Sequence, residues 1–76
     1  MSNTAEIQRI LADADPEFRQ WAEEHRRCET RLSELTSKHE ISVDEEIEEK
    51  TLKKRKLHLK DQMADKIRNY AQSAVA

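Results

Sequence analysis

The sequence predicts an all-α protein: an antiparallel helical hairpin preceded by a short N-terminal helix, and self-associating. Three observations carry this. The 76 residues include no Gly and one Pro, and tight strand hairpins and phosphate-cradling loops usually need Gly. The chain is rich in Ala, Leu, Glu, Gln, Lys and Arg, the good helix formers. Its apolar residues recur at spacings of three and four, the period of one helix face. That periodicity, with no low-complexity repeats, argues for a folded chain even though 39% of the residues are charged.

Helix 1 is expected over about residues 4–14, with Ile7, Ile10, Leu11 and Ala14 on one face. Asp15-Pro16 marks the first break. Asp is a good N-cap, and Pro suits the first helical position, where its missing N–H has no intrahelical partner to lose. Helix 2 is expected over about 16–38. Phe18, Trp21, His25, Cys28, Leu32, Leu35 and His39 alternate in steps of three and four, a heptad seam. The second break lies around 39–42, where Ser42 and Glu45 have capping-box spacing. Helix 3 is expected over about 43–72. One stripe holds Leu52, Lys56, Leu59, Met63, Ile67, Tyr70 and Ala74, and a second holds Leu57, Ala64, Ala71 and Val75. Ile47 falls off both stripes and is expected only to pack near the turn. All three helices form a single domain over 1–76.

At ~1.5 Å per residue, helix 3 is about 45 Å long and helix 2 about 35 Å. Folding them antiparallel sets Leu35 near Ile47, Cys28 near Leu52, Trp21 near Leu59 and Phe18 near Met63. Helix 1 then has the apolar residues to cover part of the overhanging end of helix 3. Two helices cannot enclose so wide an apolar surface, so the second flank of helix 3 should meet another copy. Leu57, Ala64, Tyr70 and Ala71 are the candidates for this oligomer or partner surface. The rival arrangement is one continuous helix through 39–42 that dimerises as a long coiled coil.

Composition excludes several classes. The formal net charge is −2, so the whole molecule is no electrostatic magnet for nucleic acid or anionic lipid. Cys28 is the single cysteine, which rules out an intramolecular disulfide and fits a reducing compartment. Residues 1–6 lack the basic start and apolar stretch of a secretory signal. No apolar run approaches the roughly 20 residues of a membrane span. The expected location is the cytoplasm.

Lys53, Lys54, Arg55, Lys56 and Lys60 place five cations within eight residues. Such a block suits phosphates, and Lys53, Lys54, Arg55 and Lys60 are the candidate surface for an anionic partner such as nucleic acid. The solvated-helix reading is favoured. Asp44, Glu45, Glu46, Glu48 and Glu49 precede the block and nearly cancel it, and Glu46/Lys50 and Glu49/Lys53 have favourable i,i+4 spacing. No aromatic side chain is interleaved to stack on bases.

In order and spacing, Asp15-Pro16-Glu17-Phe18, His25, Leu32 and the stretch Lys53-Lys54-Arg55-Lys56-Leu57-His58-Leu59-Lys60-Asp61-Gln62-Met63 resemble the YdcH-like small bacterial proteins of unknown function. The resemblance spans about residues 6–64. It implies a small cytoplasmic helical protein of bacteria with no established activity or cofactor. Cys28 stands where that pattern usually has an aliphatic residue, Trp21 replaces a smaller leucine, and the connection lacks the Gly of many members.

Chemistry finds little support. His25 and Cys28 lie three residues apart on one face, but zinc needs three or four ligands. A thiol nucleophile needs a base and an oxyanion site in a cleft. No catalytic residue, cofactor, metal or small-molecule substrate is therefore expected, and the chain is read as a non-enzyme. The expected function is interaction or regulation through helix packing, with a homo-oligomer or another protein as partner. The alternative is a nucleic-acid accessory role for residues 53–60.

Overall fold

The computed structural model describes residues 4–75, with side chains as far as Ser73. Residues 1–3, read above for a secretory signal, and the side chains of Ala74 and Val75 lie outside the described residues. Three helices follow in order: α1 Thr4–Ala14, α2 Pro16–Thr36 and α3 Val43–Val75. No strand occurs among the described residues.

Local chemistry sets each boundary. Asp15 is extended, with φ −118° and ψ 106°. Its Oδ1 accepts from the backbone N–H groups of Glu17 at 3.0 Å and Phe18 at 3.2 Å, satisfying two donors at the start of α2. Arg19 reaches back across the junction. Its Nε donates to the Ala12 carbonyl at 2.8 Å and its Nη2 to that of Asp13 at 3.0 Å. One arginine of α2 thus closes the end of α1.

Helix α2 stops at Thr36, short of the expected 38. The Thr36 hydroxyl donates to the Leu32 carbonyl and the Ser37 hydroxyl to that of Glu34, both at 2.8 Å. The Ser37 bond takes the carbonyl that the Lys38 N–H would use in a longer helix, and that N–H turns instead to the Leu35 carbonyl at 3.3 Å. His39, the last member of the seam, therefore lies outside the helix and is exposed. Residues 37–42 are non-helical, which replaces the continuous-helix arrangement with two separate helices. No described residue has a positive φ, so this connection turns without needing Gly. The capping box then opens α3: Glu45 N–H donates to Ser42 Oγ at 3.1 Å, and Ser42 N–H donates to Glu45 Oε1 at 3.0 Å.

Helix α3 runs past the expected 72 to Val75. Its 33 residues span about 50 Å, matching the 51 Å long axis of the molecule. Helix α2 lies antiparallel along it, as the cross-pairs Arg31–Glu48, Glu24–Arg55 and Asp15–Lys66 require. Cys28, Leu32, Leu35 and Leu59 are buried along the pair, with Leu35 at 1% and Leu59 at 0% exposure. Helix α1 folds against the far end. There Ile7, Leu11 and Phe18 form a buried cluster against which Met63, Ile67, Tyr70 and Ala71 pack.

Candidate functional site

Where the three helices meet there is a groove of about 860 Å³. Three alanines explain it. Ala12 of α1, Ala22 of α2 and Ala64 of α3 all line it, and each presents only a methyl group where a larger residue would fill the space. Phe18, Met63 and Ile67 supply further apolar lining. Arg9 of α1 and Lys60 of α3 also line it, and both are exposed. Neither forms an ion pair among the described residues. At one end Glu29 Oε1 lies 3.6 Å from both His25 Nδ1 and Lys56 Nζ. Among the described residues this is the only carboxylate in the lining, and two basic groups face it. The groove is thus apolar within and cationic in balance, on a chain whose net charge is −2.

Away from the groove the charges are organised as clamps. Arg31 grips Glu48 through Nε and Nη2 at 2.8 and 2.9 Å. Arg55 grips Glu24 in the same forked manner, also at 2.8 and 2.9 Å. Such two-point pairs fix direction as well as charge. The Arg31 hydrogen bond holds the Glu48 carboxyl below the usual range, and Arg55 does the same to Glu24. Lys66 Nζ lies 2.6 Å from Asp15 Oδ2 and 2.8 Å from Glu17, and 4.9 Å from the centre of the Trp21 ring. Asp15 therefore caps α2 with one oxygen and ties α3 with the other. The Lys66 hydrogen bond is the main cause that lowers the Asp15 pKa, and the Asp15 bond likewise raises that of Lys66. At the turn, Lys38 pairs with Glu45. That pair, with the Ser42 N–H, brings the Glu45 carboxyl from 4.5 to about 2.

The residues singled out from sequence are divided by this arrangement. Leu57 is 61% exposed, and Ala64 is exposed at the groove. Tyr70 and Ala71 do not share that surface. They are half-buried against Ile7, Leu11 and Phe18, because α1 returns over this flank of α3. Of the basic block, Arg55 is clamped by Glu24 and Lys53 pairs with Glu49 at 3.0 Å. Lys54 and Lys60 form no ion pair among the described residues, and neither do Glu46 and Lys50. Ile47 is 59% exposed instead of packing near the turn, since its direction on α3 points away from α2. Trp21 is half-buried rather than enclosed, and Lys66 covers its ring.

Cys28 is 5% exposed and unpaired. Among the described residues no group of three or more His, Cys, Asp or Glu side chains converges. No helix of the described residues is long and apolar enough to cross a membrane. Sequence reasoning missed the groove, the Arg19 cap and both arginine clamps. The clamps carried a usable signal, since Arg31/Glu48 and Glu24/Arg55 obey one antiparallel register once the turn is placed.

A family model described as "Protein of unknown function (DUF465)" matches residues 18–66, more than half of the chain. The YdcH-like proteins belong to that family. No curated protein and no solved structure matches the chain. The chain belongs to the DUF465 family.

Proposed function

We propose that this DUF465 protein is a non-enzymatic interaction protein of the bacterial cytoplasm that associates with further copies of itself by helix packing. One observation carries the reading. Val43, Ile47 and Leu57 are 72%, 59% and 61% exposed and lie on one side of α3, opposite the stripe of Leu59. Three large aliphatic side chains on one helix side are an apolar surface that another helix removes from water. The buried thiol of Cys28 suits a reducing compartment. The groove supports binding better than catalysis, since its one carboxylate, Glu29, already faces Lys56 and His25. Metal and cofactor have no part in this reading.

Sedimentation velocity over a wide concentration range tests it. The wild type is expected to shift to larger species as concentration rises, and Leu57→Glu to remain a monomer at concentrations where the wild type does not. A wild type that stays monomeric throughout rejects the proposal. Nucleic-acid binding is the weaker reading, because Lys53 and Arg55 are committed to Glu49 and Glu24. A low-salt gel shift with mixed DNA and RNA, abolished by Lys54→Glu with Lys60→Glu, would restore it.

A further inference from the structure

We infer that the three-helix groove receives the Val43–Ile47 ridge of a second copy of this chain. The inference rests on the self-association proposed above and assigns it a specific contact. Val43 and Ile47 lie one turn apart at the start of α3 and are 72% and 59% exposed. Asp44 and Glu46 flank the ridge, are exposed, and form no ion pair among the described residues. The groove presents the opposite pattern. Its apolar lining is made roomy by Ala12, Ala22 and Ala64, and its free cations are Arg9 and Lys60. An apolar ridge between carboxylates thus faces an apolar groove with cations on two of its helices. Such complementarity sets register and partner choice.

The ridge cannot reach the groove of its own molecule. Residues 43–47 and 60–67 sit on the same uninterrupted helix, with their centres about 28 Å apart along its axis. The contact therefore joins two copies through unlike surfaces. Such a contact either closes into a ring or continues into longer assemblies.

A charge-swap experiment on the full-length chain tests this. Arg9→Glu with Lys60→Glu reverses the groove, and Asp44→Lys with Glu46→Lys reverses the ridge. Each variant alone is expected to associate at least tenfold more weakly than the wild type in sedimentation equilibrium. An equimolar mixture of the two is expected to recover association, since reversed ridge meets reversed groove. Circular dichroism checks that both fold. If a reversed form does not, Arg9→Gln with Lys60→Gln and Asp44→Asn with Glu46→Gln replace them, and each is expected to weaken association and its salt dependence. Association unchanged in both variants overturns the groove contact and leaves self-association by another face. Loss in each variant without recovery in the mixture also overturns it. A wild type monomeric at every concentration overturns this contact and the self-association together. Saturable binding of dodecanoate to that monomer, lost in Arg9→Glu with Lys60→Glu, would assign the groove to an anionic amphiphile instead.

Discussion

Leu59 and Ile47 are large aliphatic residues of the same helix with opposite fates. Leu59 is 0% exposed and Ile47 is 59% exposed, because only Leu59 falls on the stripe that faces α2. Leu59→Ala should therefore cost about 2–5 kcal/mol, the range for emptying a well-packed core site, read by urea unfolding. Leu59→Asp should abolish the cooperative transition. Ile47→Ala should stay within about 0.5 kcal/mol of wild type in dilute solution. Asp15 makes a different kind of test, since its two oxygens do two tasks. Asparagine is as good a helix cap as aspartate but carries no charge for Lys66. The urea midpoint should therefore fall in the order wild type, Asp15→Asn, Asp15→Ala. Equal midpoints for the two variants would mean that the cap contributes nothing.

At the scale of elements, α2 and α3 are joined by apolar burial and by two forked arginine clamps. Lysine keeps the charge of arginine but not its fork. Arg31→Lys combined with Arg55→Lys should lower the urea midpoint with far-UV helicity unchanged. A midpoint equal to wild type would reduce the clamps to exposed pairs of negligible worth. The elements also show what was readable beforehand. The Asp15 cap and the Ser42–Glu45 box were legible because each is a contact within three residues along the chain. The heptad positions Phe18, Cys28, Leu32 and Leu35 were legible because one helix face repeats regularly. Tyr70 carried two readings, the end of helix 3 that helix 1 covers and a partner surface, since periodicity marks a residue for burial without saying which helix covers it; it packs with Ala71 against Ile7, Leu11 and Phe18. The groove was illegible for a related reason: Ala12, Ala22 and Ala64 are unremarkable in sequence and become a cavity only when three helices bring them together.

At the scale of the molecule, charge is segregated rather than mixed. Cations predominate at the groove, while unpaired carboxylates flank the ridge at the start of α3. Asp15, Glu17, Glu24, Glu29, Glu45 and Glu48 instead tie one element to another, which gives stability a definite dependence on pH. Asp15, Glu24, Glu45 and Glu48 all have folded-state pKa values below their ordinary ones. Their contribution is complete above the unfolded values, 3.8 for Asp15 and 4.5 for the glutamates, and is lost as pH falls through the folded ones. For Glu45 that loss runs from 4.5 down to about 2. Lys66 and Arg55 are shifted upward from their ordinary values. Their contribution is complete below those values and lost only as pH rises through the folded ones, so it leaves the acid side untouched. Urea midpoints measured from pH 6 downward should therefore begin to fall near pH 4.5 and continue falling toward pH 2. In Glu45→Gln part of that fall should disappear, because one of the four shifted carboxylates no longer titrates. A variant whose acid limb overlays the wild type after correction for its lower starting stability would show that the Lys38–Glu45 pair and the capping box do not hold the turn in solution.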